Sequence, residues 1–252
     1  MKYRYFIELA YKGTHYHGWQ VQPNAVSVQE KLNGALTLLF RQEVETLGAG
    51  RTDTGVHARQ LYAHFDLDAV LSPAELSKRA QQLNSMLPGD ISIRRIIPVA
   101  PGAHARFDAV SRTYEYWIYQ NKDPFLAGLA SYVHAKLDLE EMNRVAGLLL
   151  RYEDFSCFSK SNTQVFTNNC TITRAEWMRQ EEKIVFTIRA NRFLRNMVRA
   201  IVGTLLEVGQ GKLDEAGFVN IIENRNRSEA GTSVPACGLY LTKVEYPYIE
   251  EK

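Results

Sequence analysis

The chain opens on the stretch KYRYFIEL at residues 2–9, in which apolar and charged side chains alternate. This two-residue period is typical of a β-strand with one buried face, because successive side chains of a strand point to opposite sides. The buried face would carry the apolar positions Tyr3, Tyr5, Ile7 and Leu9. A second aromatic run of this kind, at residues 114–118, is consistent with a duplicated architecture.

Helices are indicated by local start signals. Residues 27–30 and 72–75 read Ser-x-x-Glu, a capping box in which the hydroxyl and the carboxylate each bond a backbone N–H at a helix start. Asp138, three residues before Glu141, is an acidic version of this signal. Strand-like runs are interspersed with these helices, at residues 61–67, 91–99, 112–120, 174–178, 184–189 and 239–246. The order of elements predicts an α+β fold.

A turn signal, Pro101-Gly102, lies close to a change of element order, and we place a boundary near residue 105. We expect two α+β halves, residues 1–105 and residues 106–252. No low-complexity linker separates them, so they are expected to share a continuous sheet with a cleft at their junction.

Composition excludes several classes of protein. With 252 residues and 45% hydrophobic content, the chain can bury a sizeable core, which argues against disorder. A net charge of +2 means that any attraction for nucleic acid must come from clustered basic residues. The three cysteines form no C-x-x-C pair, which favours reduced thiols. Because no apolar signal core or membrane-length run is present, we expect a cytoplasmic protein without membrane contact.

The densest group of candidate functional residues is GRTDTGVHA at residues 50–58. Glycines allow backbone conformations that other residues avoid and let a ligand approach closely, so Asp53 could be presented at a loop tip as a nucleophile or base. The alternative is an ordinary capped turn, since aspartate and glycine are common in turns.

A second candidate is the segment at residues 190–203, which we interpret as a strand end running into a helix. It predicts that Arg192, Arg195 and Arg199 share one helical face, while apolar residues face the core. Residues 189–199 contain four arginines and no acidic residue, as phosphate binding requires. A solvated helix face is the alternative interpretation.

Aromatic residues supply further candidates. Tyr114 and Tyr116 fall on one face of a predicted strand, where a phenol in a cleft could stack on a base or move a proton; core packing is the alternative. His15, His17 and Trp19 could contact RNA or simply pack within their loop. No histidine and cysteine spacing indicates a metal site, and no glycine pattern indicates a nucleotide cofactor, so we expect neither.

Eight segments, in order along essentially the whole chain, resemble the TruA family of tRNA pseudouridine synthases. They are His17-Gly18-Trp19-Gln20, the capping box at 27–30, the loop at 50–58, and residues 87–91, 104–107, 112–116, 193–203 and 238–241. The chain departs from the family pattern at Thr54, where alanine is common, and at Thr113. Neither change removes a reactive group.

The resemblance implies roles for individual residues. Asp53 matches the essential aspartate of the family, Tyr114 its active-site tyrosine, and Arg199 the basic residue that pairs with the aspartate. Arg51 matches the arginine that helps to hold the flipped nucleotide. Together with Arg192 and Arg195, these residues are the expected catalytic and RNA-binding set.

The resemblance also implies the reaction and the fold. Uridine at positions 38 to 40 of the tRNA anticodon stem-loop is converted to pseudouridine without a cofactor, after the nucleotide is flipped out at a cost of a few kcal/mol. The implied fold is the pseudouridine synthase fold, with a largely antiparallel central sheet and two related halves flanking the active cleft. A homodimer is implied, whose composite basic surface would let one tRNA contact both subunits.

Two other functions are compatible with the same residues. A non-catalytic RNA-binding or chaperone protein could use the basic segment alone, and its function would survive loss of the Asp53 carboxylate. A carboxylate-dependent nucleoside hydrolase would release free uracil and so would not conserve the mass of the RNA.

Overall fold

The computed structural model describes residues 2–160 and 167–250. The chain divides into two units, one formed by the described residues of Met1–Val110 and Leu241–Lys252, the other by Ser111–Tyr240. These units differ from the expected halves, 1–105 and 106–252, at the C-terminus. The reason is that the last segment bonds within the first unit: the Val244 N–H donates to Gln60 Oε1 at 2.9 Å, and the Tyr246 hydroxyl donates to the Ala105 carbonyl at 2.5 Å.

The first unit begins with four strands and two α-helices. In chain order they are β1 (Tyr3–Tyr11), α1 (Val28–Phe40), β2 (Leu47–Gly48), β3 (His57–Leu67), α2 (Pro73–Met86) and β4 (Ile91–Pro98). β1 is the middle strand, antiparallel to both β3 and β4, and β2 pairs with β3. The predicted strands at 61–67 and 91–99 are thereby confirmed.

The second unit contains its own strands and helices. In chain order they are β5 (Ser111–Tyr119), β6 (Ser131–Tyr132), α3 (Leu139–Ala146), β7 (Ile172–Gln180), β8 (Lys183–Ala190), α4 (Met197–Gly209) and α5 (Glu215–Asn224). β8 lies between β5 and β7, antiparallel to both, and the short β6 runs parallel to β5. A last strand, β9 (Leu239–Glu245), begins at the end of this unit and continues into the first.

The predicted fold class is confirmed at the level of a mixed α+β architecture. The described residues contribute nine strands to a largely antiparallel sheet. No helix within the described part of the chain is long and apolar enough to cross a lipid bilayer.

Local helix signals are confirmed at all three predicted starts. The Glu30 N–H donates to Ser27 Oγ while the Ser27 N–H donates to the Glu30 carboxylate, and Ser72 and Glu75 repeat this reciprocal pair. Asp138 Oδ1 accepts the Glu141 N–H at 3.0 Å. Such caps stabilise a helix by roughly 0.5–2 kcal/mol each because they bond N–H groups that have no partner within the helix.

β1 differs from the prediction of a strand with one buried face. Phe6 and Glu8 are 0% and 4% exposed, so both faces are covered along the middle of the strand. The Phe6 ring packs edge-on against Tyr246 at a centroid distance of 5.2 Å. Glu8 is accommodated because it is hydrogen-bonded to Arg95 and to other polar side chains.

Candidate active site

The loop that carries Asp53 connects β2 to β3. The Val56 N–H donates to the Asp53 carbonyl at 3.1 Å, which closes a turn, and Gly55 adopts a φ of 78° that favours glycine. Asp53 is partly exposed and Arg51 is exposed. The segment is therefore a tight turn that begins at Asp53, a geometry that both interpretations of this motif share.

The residues on either side of the aspartate are tied to an earlier segment of the first unit. Before it, the Thr52 carbonyl accepts the Trp19 N–H at 3.3 Å, and Thr52 Oγ1 lies 2.8 Å from the Tyr11 hydroxyl. After it, the Gly55 N–H donates to the Tyr16 carbonyl at 3.2 Å. The backbone of the loop is thus held at both ends by non-local hydrogen bonds.

Trp19 packs within its loop and is not a stacking surface for RNA. Its side chain is 2% exposed, and its ring is stacked against Tyr11 with centroids 6.4 Å apart. Gly48 lies so close that a Cβ there would be 2.6 Å from Trp19 Nε1. The packing alternative is the one observed for this residue, whereas His15 and His17 are exposed.

Tyr114 lies in β5 of the second unit, opposite Ile188 of β8. It is partly exposed and meets Phe193 edge-to-face, with ring centroids 5.2 Å apart and an interplanar angle of 89°. Tyr116, two residues along, is fully buried and donates its hydroxyl to the Pro235 carbonyl at 2.8 Å. Tyr116 is therefore a core residue, and its burial raises the pKa of its phenol.

The prediction of one helical face for the three arginines is wrong for two of them. α4 begins at Met197, so Arg192 and Arg195 precede the helix and only Arg199 lies in it. The preceding residue, Asn196, has a φ of 66° and donates its side-chain amide to Ser233 Oγ at 2.6 Å, which interrupts helical geometry at this point.

Arg192 and Arg199 each donate to a different backbone carbonyl. Arg192 Nη1 donates to the Thr167 carbonyl at 3.2 Å, and Arg195 is exposed. Arg199 is partly exposed; its Nε donates to the Val234 carbonyl at 2.7 Å, and its own carbonyl accepts the Val234 N–H at 3.2 Å. This two-way contact orients the first turn of α4 and the Arg199 side chain together.

The predicted site residues are divided between the units. Arg51 and Asp53 share one loop of the first unit, while the second unit contains Tyr114, Arg192, Arg195 and Arg199. The ring of Phe193 beside Tyr114 was missed as a candidate, although its place among the arginines was a signal. Within residues 2–160 and 167–250, no three histidine, cysteine, aspartate or glutamate side chains are grouped so that they could hold a metal ion.

Comparison with known proteins places these observations in context. A family model described as tRNA pseudouridine synthase matches residues 149–247. A tRNA pseudouridine synthase A from Porphyromonas gingivalis is 55% identical over 246 residues, covering 97% of both chains. The corresponding protein from Bacteroides fragilis is 54% identical over 97% of this chain and 96% of its own. One from Chlorobaculum tepidum is 39% identical over 95% of this chain and 96% of its own.

Proposed function

Because the chain belongs to the tRNA pseudouridine synthase A family, we propose that it isomerises uridine to pseudouridine at positions 38, 39 and 40 of the anticodon stem-loop of tRNA, with Asp53 as the nucleophile after base flipping. The chain is a tRNA pseudouridine synthase, an enzyme of the isomerase class. The predicted resemblance to this family is confirmed by relatives that match almost the full length.

The observation that carries the assignment of Asp53 is its position at the start of a tight turn whose backbone is held on both sides of the aspartate. A nucleophile must stand at a fixed distance from the reacting atom, because small misplacements cost large factors in rate. The carboxylate is partly exposed and so can be reached by a nucleotide that has left its stack.

The reaction is balanced without a cofactor. The N1–C1′ bond breaks, the uracil turns, a C5–C1′ bond forms, C5 loses its proton and N1 gains one. Attack of the carboxylate on C1′, attack on C6 and assistance of glycal formation would all use the same Asp53 side chain. The experiment below therefore tests whether the Asp53 carboxylate is needed, and it does not distinguish these three routes.

Tyr114 is proposed to stack on the uracil and to help remove the C5 proton. Its partly exposed ring, held edge-on by Phe193, supports a contact with a planar base. Arg199 is proposed to pair with Asp53, as the family resemblance implies.

RNA binding is assigned to basic side chains. Arg51 is proposed to hold the flipped nucleotide, and Arg192 and Arg195 to contact phosphates, because guanidinium groups bind phosphate oxygens with well-defined geometry. A homodimer is proposed, in which one tRNA contacts both subunits.

The test uses purified protein and unmodified tRNA with uridines at positions 38 to 40, with pseudouridine mapped by chemical labelling. Asp53→Asn removes the charge and keeps the shape, and it is expected to abolish product while RNA binding is largely retained. Asp68→Asn is the matched control, since Asp68 is exposed and lies beyond the end of β3. It should act like wild type.

Other outcomes of this experiment would favour one of the alternative functions. Wild-type protein that binds tRNA but yields no pseudouridine on any suitable substrate would favour a non-catalytic RNA-binding function. Release of free uracil, with loss of RNA mass, would identify a hydrolase. Full activity in Asp53→Asn would contradict the proposed nucleophile.

A further inference from the structure

Residues 13–19, called the bracket below, follow β1 and hold the loop that carries Asp53. The bracket bonds the residue before the aspartate, Thr52, and a residue just after it, Gly55. The aspartate therefore lies between two residues that are attached to the same short segment.

Two glycines of the bracket lie in direct contact with carbonyl groups of the loop. A Cβ on Gly18 would stand 2.2 Å from the Thr52 oxygen, and a Cβ on Gly13 would stand 2.0 Å from the Val56 oxygen. Both distances are far inside van der Waals contact, so any side chain at either position must displace the loop backbone. Gly18 also has a φ of 84°, a conformation that favours glycine.

The bracket is itself fixed to the rest of the first unit. The Tyr16 hydroxyl donates to Asp90 Oδ1 at 2.6 Å, and the backbone N–H of Lys12 donates to the Asp90 carbonyl at 2.9 Å. On the other side, the Gly18 carbonyl accepts the N–H of Val28 at the start of α1, at 3.2 Å. Asp90 immediately precedes β4, so the bracket is anchored to the β4 end of the sheet and to a helix start.

We propose that the bracket positions the Asp53 carboxylate for reaction, with Tyr16 and Gly18 as positioning residues. This inference rests on the proposed role of Asp53. Tyr16 is 4% exposed and Gly18 is buried, so neither residue is available to contact RNA. An effect of changing them on the chemical step must therefore pass through the loop.

Tyr16→Phe tests the proposal with the removal of one oxygen atom. Tyr5→Phe is its matched control: Tyr5 is 2% exposed, and its hydroxyl bonds the Ala69 carbonyl at 3.1 Å and the Leu71 N–H at 3.0 Å, groups outside the bracket and the loop. The measurements are the single-turnover rate of pseudouridine formation at saturating enzyme, the dissociation constant for tRNA, and stability to urea. If the bracket positions Asp53, the rate in Tyr16→Phe should be at least about 10-fold lower, with unchanged tRNA affinity. The reason is that a 1 Å misplacement of a catalytic group lowers the rate by about 10²-fold.

Gly18→Ala is the stronger perturbation, with an expected rate loss of about 10²-fold or more. Gly211→Ala is its control, since Gly211 has a φ of 70° but no neighbouring atom within 4 Å of an added Cβ. It introduces left-handed strain without contact and should keep the wild-type rate. If Gly18→Ala does not fold, Tyr16→Phe still decides the question.

The outcomes distinguish the positioning role of the bracket from the proposed function. A wild-type rate in Tyr16→Phe, with Asp53→Asn inactive, would overturn the positioning role and leave the proposed function standing. Equal rate losses in Tyr16→Phe and Tyr5→Phe would also overturn it, because general destabilisation would then be the cause. Inactive wild-type protein would overturn the proposed function and the positioning role together.

Discussion

Replacement of Glu8 by glutamine should destabilise the first unit by about 3 kcal/mol. The Glu8 side chain is 5% exposed, and its carboxylate lies 2.6 Å from Arg95 Nε and 2.8 Å from the Tyr62 hydroxyl. Both partners are its direct neighbours across the sheet, Tyr62 in β3 and Arg95 in β4. Gln60 adds a 3.0 Å hydrogen bond, and Arg94 Nη1 lies 3.5 Å from the same carboxylate.

The magnitude follows from what the substitution leaves behind. Removing one partner of a buried ion pair costs about 3–5 kcal/mol, since the other charge is left without compensation. Glutamine fills the same volume, so no cavity contributes. The Arg95 side chain is 25% exposed and still bonds the Tyr62 hydroxyl at 3.0 Å. The expected loss in the free energy of unfolding is therefore at the lower end of that range. In a chain of this size about 3 kcal/mol lowers Tm by about 6–12 °C.

The assay is urea unfolding at pH 7, followed by far-ultraviolet circular dichroism. Glu176→Gln is the control, because Glu176 is 40% exposed and pairs with the half-exposed Arg174 of the same strand. Surface pairs of this kind contribute about 0–1 kcal/mol. A free energy of unfolding for Glu8→Gln within 1 kcal/mol of wild type would refute the reasoning.

The pH dependence provides a second check on Glu8. Burial by itself raises the pKa of Glu8, but hydrogen bonds from Arg95, Gln60 and Tyr62 bring it below its ordinary value of 4.5. A carboxyl whose folded pKa is lowered contributes stability above its unfolded pKa and loses it as the pH falls through the folded pKa. The difference between wild type and Glu8→Gln should therefore be full at pH 7 and shrink below about pH 4.5.

Three further predictions concern stability. Burial, the largest cause, lowers the pKa of His64 from 6.5 to about 4, so the contribution of His64 to the free energy of unfolding is full above pH 6.5 and falls as the pH drops toward 4. The variant His64→Asn can still accept the Ala105 N–H. It should therefore show a smaller change in the free energy of unfolding, measured in urea, between pH 6.5 and pH 4. Gly34→Ala should raise the free energy of unfolding by about 0.5–1 kcal/mol, since Gly34 is exposed inside α1 and has open space around it. Gly203→Ala should lower that free energy by about 1–3 kcal/mol or more, because the new Cβ would stand 1.9 Å from the Thr232 oxygen.

Helix starts and most strands could be predicted from the sequence because their signals are local. Ser27 and Glu30 lie three residues apart and complete their cap without help from the rest of the chain. α5 was missed although Asp214 caps it, with Oδ1 accepting the Gly217 N–H at 2.8 Å, and although its buried residues Phe218, Ile221 and Ile222 fall at helical spacing.

The assignment of the site residues stays a prediction. Asp53 and Tyr114 stood out by residue type and neighbourhood, and the family resemblance assigned them roles. The start of α4 was not predictable from spacing, because Asn196 is held in its left-handed conformation with help from Ser233, 37 residues away. Arginine spacing alone could not reveal that interruption.

The amino-acid sequence by itself determined the α+β class, the starts of α1, α2 and α3, and the family. Those properties depend on contacts within a few positions or on residue identity. The tertiary structure decided which side chains are covered and what holds the loop: Glu8 is buried between strands that begin about 50 and 80 residues later, and Trp19 is buried against Gly48. Burial depends on which distant segments meet, and neither period nor spacing encodes that meeting.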